Sequence, residues 1–300
     1  MYFPISDVTI NPIFLAGVGF VVGLLGGFFG VGGGFLAGPL MFLSGVPMNF
    51  VVGTDLAHMT GKSIVAARRH RVLGHVDIRL GLLMVVGTIP GIEIGAQLIE
   101  SLEATGSIDL VVGVAYIVVL LAIGSFTLWE SLRALKLVQA DKMDAKDALA
   151  FEAVMHRVQR LRLPPLISLP NSGIESISLW VVIGVSFLTG LLAGVLGVGG
   201  GFVRMPMMVY LIGVPTHVAV GTDLFEVVIS AGYGTVSHAI KGNVDVLMAL
   251  VMGTGAAVGA QIGAVSTRFF AGPRIRLLFS VLPFIGAVLV ALRLLGVLDA

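Results

Sequence analysis

The chain contains no cysteine, and only 12% of its 300 residues are charged. The lack of cysteine excludes disulfides, thiol catalysis and cysteine-ligated metals. A soluble globular domain carries about 25% charged residues, so this chain has too little charge to cover a surface that faces water. Its net charge of +1 provides no overall field that would attract nucleic acid. These deficits favour a protein embedded in a membrane.

Long apolar runs are abundant, since 57% of the residues are hydrophobic. Several runs reach the roughly 20 residues that cross a bilayer, and they are continuous rather than alternating, which disfavours a β-barrel. We therefore predict an all-α, polytopic integral membrane protein. The N-terminus has no Lys or Arg before its first apolar run, so it is not typical of a signal peptide and should be retained. The predicted apolar segments are 12–43, 48–67, 80–99, 108–129, 177–211, 216–237, 244–266 and 277–297.

The two halves of the chain repeat one another. Residues 23–41 read GLLGGFFGVGGGFLAGPLM, and residues 190–208 read GLLAGVLGVGGGFVRMPMM. After a one-residue insertion in the second half, VGTDL at 52–56 matches VGTDL at 220–224. A duplicated membrane protein with a glycine-broken apolar helix in each half is typical of secondary transporters. We predict transmembrane repeats at 1–130 and 177–300, joined by a polar cytoplasmic connector at 131–176.

The glycine run and the following proline should unwind the first and fifth apolar segments. Irregular backbone at membrane depth must be buried in protein or line a wet cavity, so each segment is either a re-entrant hairpin or a discontinuous helix. The basic loop between segments two and three should be cytoplasmic, and re-entrant hairpins then give inverted halves with both termini outside. This loop contains Arg68, Arg69, Arg71 and Arg79, and the same arrangement places Arg268, Arg274 and Arg276 inside.

The glycine breaks are the first candidate for a binding site. Glycine lets a ligand approach backbone amides closely, and a half-helix starting after the break would direct its positive end at an anion. The residues concerned are Gly32, Gly33, Gly34 and Phe35 in the first half, and Gly199, Gly200, Gly201 and Phe202 in the second. The alternative is that the glycines only permit close helix crossing.

Arg204 breaks the symmetry, because its counterpart is Ala37. An arginine inside an apolar segment is costly unless it is paired or faces water. Its planar fork suits an oxyanion such as carboxylate, sulfonate or sulfite. Snorkelling to the interface and a structural pair with Asp223 or Glu226 are the alternatives.

The second helix of each half supplies further polar groups. Thr54, His58 and Lys62 share one helix face, as do Thr222 and Glu226 in the other half. Thr and Asp at a helix start are also good N-caps, which is the structural explanation for Asp55 and Asp223. His58 and Glu226 occupy equivalent positions, so they could pair across the centre and carry a coupling proton, or form a structural bridge.

Other polar groups show no sign of catalysis. His70, His75 and His238 lie near loop ends, where we expect them at the membrane interface. We find neither convincing metal spacing nor a Ser–His–Asp arrangement, and we expect no cofactor, no metal and no enzyme activity.

The motif GVGGGFLAGPL with VGTDL, repeated as GVGGGFVRMPM with VGTDL, resembles the TauE/SafE family of sulfite and organosulfur exporters. The resemblance covers about 13–129 and 177–297. It implies a transporter of the bacterial inner membrane that exports sulfite, sulfoacetate or a related sulfur-containing anion, using protons. The expected partners are this anion, protons and the lipid bilayer, and a homodimer is compatible with this reading.

Within that reading the candidate residues have separate roles. The glycines expose amides, Arg204 neutralises the anion, and Thr54, Thr222 and Lys62 donate hydrogen bonds. His58 and Glu226 handle the proton. Two functions of other classes stay open: a passive anion channel, and a membrane scaffold that acts through the connector.

Overall fold

The computed structural model describes residues 1–32, 34–103, 108–139, 152–161, 163–196 and 200–294, most of them helical. The first half contains α1 (Pro12–Phe29), α2 (Gly34–Leu43), α3 (Met48–Val72), α4 (Ile78–Glu103) and α5 (Ile108–Gln139). The second half contains α7 (Leu179–Leu196), α8 (Gly201–Met207), α9 (Thr216–Ile240), α10 (Val246–Ser266) and α11 (Gly272–Leu294), and α6 (Glu152–Gln159) lies between the halves. The predicted all-α membrane fold is confirmed.

Both long apolar segments are interrupted at the glycine run. Gly30 ends α1 with φ 79°, and its N–H donates to the carbonyl of Gly26. Gly200 precedes α8 with φ 69°. Only glycine adopts this left-handed backbone without strain, so the sequence GVGGG places the interruptions where they are seen.

The one-residue insertion in the second half corresponds to a π-helical turn. There, α8 continues into a π-helical turn, Met208–Ile212, which ends at Gly213 with φ 90°. The equivalent turn of the first half ends at Gly45 with φ 87°. A π-helical turn closes one residue later than an α-helical turn, so it absorbs the extra residue before the following helix begins.

Contacts between the halves fix the directions of the helices. At the start of α3, Thr54 accepts a hydrogen bond from the N–H of Asp245, just before α10. At the start of α9, Thr222 accepts a hydrogen bond from the N–H of Asp77, just before α4. Helices α3 and α9 are therefore antiparallel. We call the end of the molecule near Asp245 the first face and the end near Asp77 the second face.

The glycine breaks turn the chain back on itself. Helix α1 starts at the first face and runs parallel to α10, while α3 starts again at the first face, so α2 returns to the face from which α1 came. Helix α7 starts at the second face beside α4, and α8 with its π-helical turn leads back to the start of α9 there. Each interrupted segment is a hairpin, and the two hairpins enter from opposite faces.

Glycine stripes hold two pairs of parallel helices in very close contact. A Cβ on Gly19 or Gly23 of α1 would overlap the backbone of α10, and Gly255 of α10 faces α1 in the same way. Helices α4 and α7 repeat this arrangement, with Gly91 and Gly190 at the contact. Small residues permit this approach, as in other membrane helix pairs. In both pairs the two helices come from different halves, so the halves are interleaved.

Two short strand pairs, which the sequence did not predict, cover helix starts. Strands β1 (Tyr2–Phe3) and β2 (Val8–Thr9) form a hairpin whose Ser6 donates to the carboxylate of Asp245. Strands β3 (Leu166–Leu169) and β4 (Ile174–Ser178) form another, and Ser172 on its turn donates to Asp77. Asp77 and Asp245 also cap the helices that follow them.

The outside of the molecule is apolar and the inside holds its polar groups. Ile13 and Ile240 are each more than 80% exposed, whereas Lys62, Arg204 and Glu226 are buried. Five of the described helices are long and apolar enough to cross a membrane by themselves. Helices α3 and α9 fall below that hydropathy because they carry the buried charges, which face protein rather than lipid.

Helix α5 extends into the segment that was predicted as the connector. Helix α5 continues to Gln139 instead of ending near residue 129. Glu130 of α5 is buried and pairs with Arg276 at 3.3 Å. Arg276 lies in α11, where it is only 1% exposed. Glu130 and Arg276 are partners of opposite charge, which offsets the cost of burying both side chains.

Candidate functional site

The two glycine breaks meet in the middle of the molecule. A Cβ on Gly201 would lie 2.9 Å from the backbone nitrogen of Gly32 and 3.2 Å from Cα of Val31. The same Cβ would lie 2.5 Å from Oδ2 of Asp223. The backbone of the second hairpin therefore contacts both the first hairpin and α9, with no room for a side chain.

A buried charge cluster adjoins this junction. The Nη1 atom of Arg204 donates to Oδ1 of Asp223 at 3.0 Å and also contacts Oε2 of Glu226. Ser230 donates to the same oxygen of Glu226 at 3.2 Å. Arg204 and both carboxylates are 0% exposed, so in this conformation the cluster is closed to both faces. The structural pairing considered from the sequence is therefore present, with both carboxylates at once.

The edge of the Arg204 guanidinium that carries Nε and Nη2 faces away from the two carboxylates. Nε and Nη2 of Arg204 are buried and have no hydrogen-bond partner among the residues that the structure describes. Nη2 would lie 3.2 Å from a Cβ on Gly200, so this edge borders the break itself. Nε and Nη2 form the donor pair that binds an oxyanion through two parallel hydrogen bonds. An arginine held by carboxylates on one side thus keeps a bidentate edge directed at the glycine break.

A second buried cluster lies on α3. Nδ1 of His58 is 2.9 Å from Oδ1 of Asp55, and this contact leaves Nε2 of His58 without a partner in the described part of the chain. Lys62 is 1% exposed, and its Nζ would lie 2.9 Å from a Cβ on Gly26. Lys62 therefore reaches the tip of the first hairpin from the side.

The possible pair between His58 and Glu226 is not formed in this conformation. His58 contacts Asp55, while Glu226 contacts Arg204 and Ser230, so the two residues belong to separate clusters. Helices α3 and α9 are antiparallel, and His58 and Glu226 each contact a residue of their own half. The sequence repeat showed that the two residues are equivalent, but not which contacts they make.

Thr54 and Thr222 have structural partners at opposite faces. Their hydroxyls accept the N–H groups of Asp245 and Asp77, at 3.0 Å and 2.9 Å. These bonds join α3 to the turn before α10, and α9 to the turn before α4. The predicted donation to substrate would have to coexist with them.

The remaining predicted site residues are accounted for as follows. Phe202 is buried, and Gly34 and Phe35 form the first turn of α2. Gly33 and Gly199 lie outside the described residues. Within the described ranges, no group of histidine and acidic side chains has the geometry of a metal site.

Comparison with known proteins decides the family. The model of the family described as "Sulfite exporter TauE/SafE" matches residues 15–290, which is nearly the whole chain. The chain belongs to this family. A "Probable membrane transporter protein YunE" of Bacillus subtilis (strain 168) is 29% identical over 264 residues, covering 85% of this chain and 88% of the relative. A "Probable membrane transporter protein" of Xylella fastidiosa (strain Temecula1 / ATCC 700964) is 38% identical, over 35% of this chain and 41% of the relative. No solved structure matches the chain.

This TauE/SafE chain also contains a polar network that sequence reasoning missed. Tyr210, in the π-helical turn, donates to Glu130 of α5 at 3.0 Å. Arg276 of α11 donates to Thr216 at 2.6 Å as well as contacting Glu130. The network ties the return leg of the second hairpin to α5 and α11. The inserted residue at this turn was the available signal, because π-helical turns often occur at functional sites.

The connector of this TauE/SafE chain also touches the second hairpin. Gln159 of α6 donates to the carbonyl of Ile212 at 3.0 Å, and Met155 lies against Gly213. In the first half, a Cβ on the equivalent Gly45 would find nothing within 4 Å. The hairpin that carries Arg204 is thus covered at its exit by α6, and no described residue covers the first hairpin in this way at Gly45.

Histidines form a further cluster at the second face. His70, expected at the interface, is 0% exposed and contacts the carbonyl of Gly27 at 2.9 Å. Its Nδ1 atom is 3.2 Å from Nδ1 of His75, whose ring lies 5.2 Å from that of His217. Burial, with His217 nearby, lowers the pKa of His75 from 6.5 to about 4. The ring of His75 is therefore neutral at physiological pH.

Proposed function

We propose that this membrane transporter exports a small sulfur-containing anion, such as sulfite or a sulfonate, and binds it at Arg204 where the two glycine breaks meet. One observation carries the proposal: the Nε and Nη2 edge of a fully buried arginine borders Gly200 and has no partner among the described residues. A sulfur oxyanion offers two oxygens with the spacing of that edge. The family name supports sulfur chemistry and the outward direction.

The fold supports alternating access between two inverted halves. The hairpins enter from opposite faces and meet at a closed centre, which is the arrangement of transporters that rock one repeat against the other. The second face is the cytoplasmic one in this proposal, because the exposed basic residues concentrate there. They include Arg68, Arg69, Arg71, Arg79, Arg157, Arg160, Arg268 and Arg274. The inner membrane of a bacterium is the compartment that fits this asymmetry.

The charge balance of the cluster supports proton coupling. Arg204 carries one positive charge and faces two carboxylates, so the ionised cluster has a net charge of −1 and repels an anion. A proton on Glu226 or Asp223 removes that repulsion. The anion and one proton therefore favour each other's binding, as linkage requires.

The membrane potential adds a driving force for export. Moving one net negative charge outward across an inside-negative membrane gains about 2.3 kcal/mol per 100 mV. A divalent anion that travels with one proton retains one negative charge, so the potential still favours its exit. Export then depends on the charge of the transported form, which transport assays at imposed potentials measure.

Thermal unfolding with a panel of anions tests the binding site. A ligand that binds the native state raises the melting temperature by mass action. We expect sulfite, sulfoacetate or a related sulfur oxyanion to raise it, and acetate and chloride to have less effect. Arg204→Ala should abolish the shift, while Arg274→Ala, which removes an exposed arginine on the second face, should preserve it. A panel without any stabilising sulfur oxyanion would contradict the proposed site.

Counterflow separates a transporter from a passive channel. A transporter loaded with unlabelled sulfite accumulates labelled sulfite transiently, because each reorientation carries one bound anion. A channel equilibrates the label without accumulation. Labelled sulfite that entered vesicles without this overshoot would favour the channel.

A further inference from the structure

Titratable side chains follow one side of α3 from near its start to the second face. Asp55, His58, Lys62 and His70 lie along the helix, and His75 follows in the next turn. All except His75 are buried. The matching positions of α9 and its following turn are Asp223, Glu226, Ser230, His238 and Asn243. On α9 the series of titratable side chains is interrupted at Ser230 and ends at Asn243, which does not titrate. Only α3 therefore carries a continuous series.

Hydrogen-bond partners fix the proton positions at the outer end. The carbonyl of Gly27 can only accept, so Nε2 of His70 carries a hydrogen. Neutral His70 then accepts at Nδ1, and His75 donates from its own Nδ1. The Nε2 atom of His75 is left as the acceptor for an incoming proton. A proton taken up there can move from Nδ1 of His75 to Nδ1 of His70, and His70 can release the hydrogen on Nε2.

His70 and Lys62 lie beside two consecutive glycines of α1. His70 contacts the carbonyl of Gly27, and Lys62 lies against the neighbouring Gly26. Both side chains therefore contact the same stretch of α1. Lys62 is the next buried titratable side chain of α3 toward the first face, and its flexible stem lets Nζ move between neighbours.

The inner end of the series has free proton-binding atoms. Nζ of Lys62 and Nε2 of His58 are both buried and make no hydrogen bond to any described residue. Nδ1 of His58 donates to the backbone carbonyl of Asp55 at 3.1 Å, which leaves Nε2 available as a base. Structural histidines and lysines are normally satisfied when buried, so two adjacent unsatisfied nitrogens indicate a functional role.

We propose that this series is the path of the coupling proton, which enters from the second face at His75 and passes through His70 and Lys62 to His58. The path rests on the proton coupling in the proposed function and adds its route from the second face as far as His58, on the helix that packs against α9. The groups facing it from other helices are His217 of α9 and the carbonyl of Gly27 on α1. Thr267 and Phe270 hold His217 through their carbonyls.

Proton flux into sealed vesicles tests the path. The full chain is reconstituted with a pH-sensitive dye inside, a potassium diffusion potential is imposed, and flux is measured with and without sulfite. We expect His70→Gln and His75→Asn to reduce protein-dependent proton flux at least about tenfold, because each removes one relay ring. Asn is the residue at the equivalent position of the second half, so His75→Asn should fold. The matched control is His238→Gln, at the position equivalent to His70, and it should keep the wild-type flux.

The outcomes separate the path from the proposed function. Wild-type flux in His70→Gln and His75→Asn, or no protein-dependent flux in the wild type under either condition, overturns the path. Labelled sulfite exchange in the same vesicles then shows whether anion transport stands without it. Proton flux that depends on His70 in the absence of any sulfite exchange supports the path and contradicts sulfite as the substrate.

Discussion

Glu226→Gln should strengthen anion binding at neutral and alkaline pH and remove most of its pH dependence. Arg204 presents Nη1 to the two carboxylates and its other edge to the glycine break, so an anion there would lie across the guanidinium from Glu226. Two unit charges roughly 6 Å apart repel by about 3 kcal/mol at an effective dielectric constant of 20. Removing one of them should increase affinity by roughly 100-fold.

Calorimetric titration of the detergent-solubilised protein with sulfite measures this effect. Titrations in two buffers of different ionisation enthalpy count the protons taken up on binding. The wild type should take up close to one proton per anion, and Glu226→Gln should take up fewer. Glu93→Gln, the same change at a carboxylate on α4 outside the cluster, is the control. Weaker binding by Glu226→Gln, with unchanged proton uptake, would refute the charge-balance reasoning.

Three further predictions concern the fold. Gly23→Ala should lower stability by about 1–3 kcal/mol, because its Cβ overlaps the backbone of α10, whereas Gly253→Ala has nothing within 4 Å and should not; chemical unfolding measures both. Thr222→Val should lower the free energy of unfolding by about 1–3 kcal/mol, because the N–H of Asp77 loses its acceptor. An unchanged unfolding midpoint would contradict this. Thermal stability should fall as pH drops from 6.5 toward 4, because His75 takes up a proton in the unfolded chain that the half-buried ring resists in the folded protein. His75→Asn should flatten that decline.

The helices and their interruptions were predictable from the sequence. Apolar length and the GVGGG run located α1, α2, α7 and α8, because left-handed glycines such as Gly30 and Gly200 end helices through local backbone sterics alone. The strand hairpins were not predictable in this way. Ser6 and Ser172 are held by Asp245 and Asp77, which lie far away in the chain. The residues around each serine give no sign of such a distant partner.

The sequence indicated which residues form the site, but not which of them contact each other. The asymmetry of Arg204 against Ala37 identified the charge, and Asp223 and Glu226 were recognised as its alternatives. In the structure Glu226 contacts Arg204 of its own half, and His58 contacts Asp55. Which of these contacts forms depends on tertiary packing. Pairs such as Glu130 with Arg276, 146 residues apart, depend on it equally.

The central claim is that Arg204 binds the transported anion where the two glycine breaks meet. The most direct test is counterflow of labelled sulfite in vesicles containing the wild type, Arg204→Ala or Arg274→Ala. Loss of a bidentate, charge-assisted contact costs roughly 3 kcal/mol, so the account predicts a decrease of about 100-fold in sulfite uptake at low concentration for Arg204→Ala. Arg274→Ala should transport like the wild type. Undiminished counterflow by a folded Arg204→Ala protein would contradict the account.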